Sequence, residues 1–387
     1  MQGGWIAGGV GVDTALMMIM RKLSSAAVDL SLMIGSIIVF LLFCEFVVFR
    51  FVWLASDVPR LDFVNDLVRY APHQQGVWRL RDEVAAPYRI NSQGWNSGVG
   101  DYLVERRAGT ARIALVGDSY VEALQVASSD NVTGALGRIL TQSGQPTEAY
   151  GFGISGAPLS QYVHMVEREA VRYRPDWIVV VVVHNDFDES YLFKQGRYTS
   201  SFMKYRVADE KVTGELMPTP WQPGAIERLR QTATARFFLY RWQMRPQVII
   251  DLLLPRPASA AESPYAANVE IGAILKQKRT VEAVADHTVA RLAGLAAGVG
   301  ARLLIVMDGV RQAVYRGEQS SPALELNRIL AVAAANHGVA LVDLHSNFSA
   351  HWTAHHRRFD FDTDGHWNEL GHSLAAAAIA KHIREAR

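Results

Sequence analysis

The chain has 387 residues, with 39 lysines and arginines against 38 aspartates and glutamates, a net charge of +1 spread without long blocks of either sign. That balance excludes the basic footprint of a nucleic-acid-binding protein and an acidic solvating tail. A single cysteine, Cys44, excludes an intrachain disulfide and a multi-cysteine metal site, and the length suits one large domain with additions, or two domains.

The glycine-rich opening, residues 1–29, reads as a poorly structured flank. It is followed by LSLMIGSIIVFLLFCEFVVF, Leu30 to Phe49, apolar but for small polar residues and Glu45 near one end. About 20 such residues span a bilayer as a helix, and a soluble helix of this length would carry a polar face. The FVWLASD that follows lacks an A-x-A-like cleavage site, so residues 30–54 read as an uncleaved membrane anchor. Arg21 and Lys22 before the span balance Arg50 and Arg60 after it. Orientation therefore rests on the short amino-terminal flank and the large domain that follows, which favours a cytoplasmic amino terminus. The chain is expected in the inner (plasma) membrane, single-pass, with its domain in the periplasm.

Residues 55–110 are mixed and loop-rich, an approach segment to a domain at 111–387. Apolar strand candidates recur there at Ile113–Val116, Glu148–Phe152, Trp177–Val183, Arg302–Met307 and Val339–Val342, separated by helical stretches such as LSQYVHMVEREAVRYR. Such alternation predicts a parallel sheet covered by helices on both faces. An insertion at about 187–270 interrupts the pattern. It holds a hairpin-like SFMKYRVADEKVTGELM, a basic-aromatic helix candidate RLRQTATARFFLYRWQMRPQ and a linker PRPASAAESPY.

The first strand runs directly into Gly117-Asp118-Ser119. At this strand-to-helix hand-over Asp118 or Ser119 can simply cap the helix, or Ser119 can be presented at the carboxyl edge of the sheet, where open α/β folds place their ligands. Three later clusters bear on the choice: GFGISGAPLSQY after the second strand, VVHNDFD after the third, and FDFDTDGHWNELGH before the last helix. A serine nucleophile needs a neutral imidazole to take its proton, a carboxylate to orient that imidazole, and donors for the oxyanion. All of those residue types are present.

With Gly117-Asp118-Ser119, Gly156, Asn185-Asp186, and Asp364 with His366 in this order, the sequence resembles the SGNH hydrolases, also called GDSL-like esterases, from about Asn91 to Arg387. The resemblance implies a three-layer α/β/α fold with a flavodoxin-like central parallel sheet. It also implies Ser119 as nucleophile, His366 as general base, and an oxyanion hole from the Ser119 and Gly156 amides and the Asn185 side chain. Two positions depart from the family pattern. Val183 stands where the third block usually has glycine, and Thr363 where the last block usually has aspartate. Asp364, two residues before His366, is the carboxylate assigned, as in the D-x-H variant of membrane-linked relatives. Asp360, Asp362 and Asp364 alternate, so spacing alone does not choose among them; a turn at Gly365, tolerant of positive φ, favours Asp364.

Other motifs are weaker. Gly151, Gly153 and Gly156 form a literal G-x-G-x-x-G, but the next strand-end acid, Asp186, lies too far on for a dinucleotide fingerprint. Asp360, Asp362, Asp364 and Gly365 echo a calcium loop whose twelfth position is Gly371 where a glutamate is needed. His351, His355 and His356 lack an H-E-x-x-H pattern and read as a solvated helix face or loop. The expected protein is a serine-dependent esterase or acyltransferase needing no metal or organic cofactor. By resemblance its partner is an acylated carbohydrate or other ester of a cell-surface or exported polysaccharide, together with polysaccharide-assembly proteins. The alternatives are a lipid or thioester hydrolase and a non-catalytic SGNH-like scaffold.

Overall fold

The computed structural model describes residues 10–194, 196–244, 265–266, 269–318 and 320–386. Its centre is a sheet of β1 (Ala111–Gly117), β2 (Thr147–Gly153), β3 (Trp177–Val182), β4 (Arg302–Met307) and β5 (Ala340–Asp343). Their order is β5-β4-β3-β1-β2, and every pair is parallel. The chain runs outward from β1 to β2, then returns past β1 to β3. The loops after β1 and β3 therefore diverge, which opens a crevice at the carboxyl edge.

Strand alternation explains the unbroken apolar runs. Ile113, Leu115, Val179, Val181, Leu304 and Val306 face helices Val132–Gln142 and Glu369–Glu385. Ala114, Val116, Ile178, Val180, Val182 and Ile305 face helices Leu159–Arg168, Lys278–Gly298 and Leu324–Asn336. Each fully buried Val, Leu or Ile contributes about 1.5–3 kcal/mol, so neither face tolerates a polar residue at these positions. The result is the expected three-layer α/β/α sandwich, built on a five-stranded parallel sheet.

Outside the sheet the structure differs from expectation in three places. The amino-terminal helix is already formed at Val10, the first described residue, rather than only near Leu30, and runs to Phe43 before continuing in π-helical geometry over Cys44–Val52. Helix-forming Ala, Leu and Met residues between positions 15 and 27 outweigh the glycines of the opening. Within it, Met20–Val52 is long and apolar enough to cross a membrane. Residues 55–110 also contain two antiparallel hairpins, Leu61–Val64 with Leu67–Tyr70 and Gln75–Leu80 with Val84–Arg89. The first turns on Asn65 and Asp66, both at positive φ, which is the chemistry of a tight primed turn. The charged Asp62 and Arg69 beside it obscure the strand pattern.

In the insertion, the hairpin forms as Lys204–Ala208 with Lys211–Leu216. The basic-aromatic stretch is not one helix but three short pieces, Ala225–Arg230, Ala233–Ala235 and a π-helical Arg236–Arg241. Thr232 restarts the helix by accepting the Ala235 N–H at 3.2 Å. The end of the apolar helix docks here: Phe49 stacks on Phe237 with ring centroids 4.5 Å apart. Glu45 accepts the Ala233 and Thr234 backbone N–H groups, each at 2.8 Å. Residues 255–264 of the expected linker lie outside the described residues.

One glycine is required where β2 meets the turn that follows β1. A Cβ on Gly153 would lie 2.1 Å from the Glu122 nitrogen and 2.6 Å from the Val121 carbonyl carbon, all backbone atoms that cannot rotate away. Gly153→Ala is expected to cost about 1–3 kcal/mol, as overpacking does. Thermal denaturation should show a drop of several degrees, and catalytic turnover should fall with it because the same turn carries Ser119.

Candidate active site

At the end of β1 the backbone turns sharply into a single helical turn, Ser119–Glu122. Asp118 caps it, its carboxylate accepting the Tyr120 N–H at 2.9 Å, and the turn ends at Ala123 with φ +49°. Asp118 therefore takes the capping role, which leaves the Ser119 hydroxyl unspent on the backbone. Ser119 is 7% exposed at the carboxyl edge of the sheet.

From the far end of the chain His366 reaches it. His366 Nε2 lies 2.8 Å from Ser119 Oγ, and Nδ1 lies 2.5 Å from Asp364 Oδ1. With the Nδ1 proton donated to Asp364, Nε2 is an acceptor for the serine hydroxyl. Gly365 is not among the residues at positive φ, so the expected glycine turn is corrected. Asp364 shapes the loop itself, as Oδ1 also accepts the His366 backbone N–H at 3.1 Å in an Asx-type turn. The other two aspartates are engaged elsewhere. Asp360 accepts the Tyr315 hydroxyl at 2.7 Å, and the exposed Asp362 pairs with Arg358 at 3.3 Å. The second histidine of the cluster, His372, is buried, and its Nδ1 accepts the Val132 N–H at 3.2 Å. Burial pushes its pKa down to about 3, which keeps it neutral.

Three donors at this edge are free. The Ser119 N–H, the Gly156 N–H and the half-buried Asn185 carboxamide have no protein acceptor among the described residues. Gly156 sits at φ +74° in the loop after β2, a conformation that favours glycine, and Asn185 follows β3. Val183, where the family pattern has glycine, is buried beside Tyr120 and Val121 in the sheet core, and its N–H donates to Asp186 at 2.8 Å. The larger side chain thus occupies core space.

The electrostatics set His366 up as a base. Burial pushes its pKa down, but the Asp364 charge and hydrogen bond, with Asp118 adding, outweigh this and raise it above 6.5. Burial likewise acts to raise Asp364, and its interactions with His366 overcome it to leave the carboxyl below 3.8. Asp118 is pushed up to about 6 by burial.

Sequence reasoning missed the groups that hold the His366 loop. The Tyr120 hydroxyl donates to the Gly365 carbonyl at 2.8 Å, and Arg311 donates to that same carbonyl and to the Tyr120 oxygen. Arg311 is paired to Asp308 at 2.6 Å, and Asp308 accepts the Trp367 indole N–H at 3.0 Å. Glu83, from the turn of the second hairpin, accepts the Asp362 and Thr363 N–H groups at 2.6 and 2.9 Å. Asp308 follows β4 directly, so a strand-end acid was readable there. Glu83, 279 residues from Asp362, left no local signal.

The remaining motifs have structural uses. Gly151 and Gly153 lie within β2 and admit Thr133 and the Val121–Glu122 backbone, so the G-x-G-x-x-G is a packing pattern. His351 and His355 lie one turn apart on one helix with their rings tilted by 43°, and His356 terminates it at φ +49°. No group of side chains able to hold a metal ion occurs among the described residues.

A carboxylate–imidazole–hydroxyl chain, Asp364–His366–Ser119, at the carboxyl edge of a parallel sheet has the geometry that serine-dependent ester hydrolysis requires. The model of the GDSL-like Lipase/Acylhydrolase family matches residues 115–374. The chain belongs to that family, the SGNH ester hydrolases. Solved structures similar to it include LAE5, an alpha/beta hydrolase enzyme from the metagenome of Lake Arreo, Spain, at 13% identity over 71% of this chain and 95% of that one, TM-score 0.38. A lipase/acylhydrolase from Enterococcus faecalis matches at 13% identity over 72% and 97%, TM-score 0.39. An acetylxylan esterase from Geobacillus stearothermophilus matches at 12% identity over 72% and 96%, TM-score 0.38. No curated protein matches the chain.

Two outcomes follow from the loop geometry. Activity should be absent at low pH, where His366 is protonated and cannot accept a proton, and should rise through a midpoint above 6.5. In a pH profile of kcat/KM, Asp364→Asn should lower the plateau by about 10³–10⁴-fold. Its residual midpoint should shift downward, because the carboxylate that raises the imidazole is gone while burial remains. Asp362→Asn should leave both features near wild type.

Proposed function

We propose that this protein is a membrane-anchored SGNH-type serine esterase or O-acyltransferase acting on acetyl esters of cell-surface or exported polysaccharide. The observation that carries the reading is the continuous Asp364–His366–Ser119 relay beside three unspent donors. His366 Nε2 takes the hydroxyl proton as Ser119 Oγ attacks the ester carbonyl. Asp364 stabilises the imidazolium, and the Ser119 and Gly156 amides with Asn185 receive the oxyanion. Collapse of the tetrahedral intermediate breaks the ester C–O bond, and the proton held on His366 goes to the departing alcohol. Water or a second hydroxyl then attacks the acyl-Ser119 with His366 again as base, which returns the serine. The two outcomes, hydrolysis and transfer, differ only in this last acceptor.

The polysaccharide assignment follows the resemblance in layout between this chain and membrane-linked relatives. Retention of the apolar helix as an anchor is supported by its docking on the domain. Glu45 and Phe49 are built into contacts with Ala233, Thr234 and Phe237, which a removed leader would leave unfilled. Breaking them would leave the backbone donors of Ala233 and Thr234 without their carboxylate acceptor.

Ser119→Ala should fold normally and lose turnover of an activated acetyl ester. A fluorophosphonate probe should label wild-type protein on the peptide containing Ser119 and leave the variant unlabelled; labelling at another residue would move the nucleophile. After alkaline carbonate extraction of membranes the full-length chain should remain in the pellet, and its release would refute the anchor.

A further inference from the structure

Ser155 and Gly156 form the loop on which the second amide of the oxyanion hole depends, and packing does little to hold Gly156. A Cβ at Gly156 would meet no atom within 4 Å, and its N–H has no protein acceptor among the described residues. A peptide group so open on that side can rotate unless hydrogen bonds to its neighbours prevent it. Two such bonds are made by Ser155, and a third braces the partner of one of them. The Ser155 N–H donates to Glu122 Oε1 at 3.0 Å, and the Tyr70 hydroxyl donates to that same oxygen at 2.5 Å. The Tyr198 hydroxyl, from the insertion, donates to the Ser155 carbonyl at 2.9 Å.

We propose that Tyr198 is a positioning residue for the oxyanion hole, fixing the plane of the Ser155–Gly156 peptide and thereby the direction of the Gly156 N–H. The proposal rests on the Ser119 esterase reading above. There is no cis peptide bond among the described residues, so in this planar trans unit the Ser155 carbonyl and the Gly156 N–H point in opposite directions. Holding one end holds the other. Donation to the carbonyl also polarises the amide, which strengthens its N–H as a donor. Glu122 anchors the preceding N–H but leaves the carbonyl free to swing, so the Tyr198 bond is the one that acts on the catalytic peptide itself. Tyr198 is itself braced: its ring meets Phe202 edge-on at 5.5 Å, and the neighbouring Arg197 is ion-paired with Glu227 in the helix Ala225–Arg230. The insertion thus reaches into the site through a backbone contact and leaves the reacting atoms to the sheet-edge residues.

Tyr198→Phe keeps the ring and its packing and removes only the donated hydrogen bond. In the full-length, detergent-solubilised protein, kcat for an activated acetyl ester should fall about tenfold, the scale of one neutral hydrogen bond. KM and the melting temperature should stay near wild type. Affinity for methylboronic acid, whose adduct on Ser119 mimics the tetrahedral intermediate, should weaken by the same factor as kcat. Unchanged kcat, or a loss confined to KM with boronate affinity intact, would overturn the proposal. Asn185→Ala, measured in parallel, separates the two levels of inference, since loss of an oxyanion donor should cost about 10²–10³-fold in kcat. If Asn185→Ala has that cost while Tyr198→Phe has none, the oxyanion hole stands and the role of Tyr198 falls. If Asn185→Ala costs nothing, the oxyanion reading fails and takes this proposal with it.

Discussion

A carboxylate withdrawn from water is tolerated only where donors replace its lost hydration, and the carboxyl edge of this sheet is assembled around that requirement. Asp118 takes the Tyr120 N–H and so shapes the turn after β1. Glu122 takes the Ser155 N–H and the Tyr70 hydroxyl, tying the loop after β2 to the first hairpin. Asp186 takes the Val183 N–H and the Tyr162 hydroxyl, both at 2.8 Å, closing the loop after β3 on a flanking helix. Asp308, after β4, takes Trp367 and Arg311 and so reaches the final loop. Asp118 acts within its own turn, whereas Glu122, Asp186 and Asp308 each join a strand end to an element remote in sequence. Removal of any one leaves its donors unpaired in a dry environment, which costs more than the bond itself contributes.

The same residues set the electrostatic character of the site. Burial pushes Asp118 up to about 6 and Glu122 up to about 7, so both acids at this edge are weaker than their exposed counterparts. His366 sits among them and is held more basic than a free imidazole, while Arg311 works in the opposite sense. The balance matters because a base must be neutral to take a proton yet stabilised once it has done so. Asp364, in direct contact with the ring, supplies most of that stabilisation. Asp118 adds a longer-range share and lies 3.2 Å from Ser119 Oγ, a second acceptor for the hydroxyl before substrate binds.

The two additions to the sandwich converge on its edge from different directions. The hairpins before β1 contribute Tyr70 and Glu83, one beneath the Ser155 loop and one capping the loop that carries Asp364. The insertion contributes Tyr198 near the site and, at Ala233 and Thr234, the seat for the end of the apolar helix. Helix, hairpins and insertion therefore contact one another as well as the sandwich. Arg236, for example, pairs with Asp57 at 2.9 Å.

Much of the architecture was legible in the amino-acid order because burial on both faces leaves a local trace. The runs at 113–116, 148–152, 177–183, 302–307 and 339–342 lie within a residue or two of the observed strands, and the chemistry-bearing residues Ser119, Gly156, Asn185 and His366 follow strand ends or precede the last helix. What the order of residues could not determine was choice among equivalents and contact across distance. Asp360, Asp362 and Asp364 are chemically identical and evenly spaced, and only the fold assigns them, because Tyr315 and Arg358 claim the first, Arg358 the second, and an Asx turn the third. Tyr198 and Glu83 leave no local pattern at all. A single hydrogen bond formed between segments far apart in the chain constrains neither segment's own periodicity, so it exists only once packing has brought the two together.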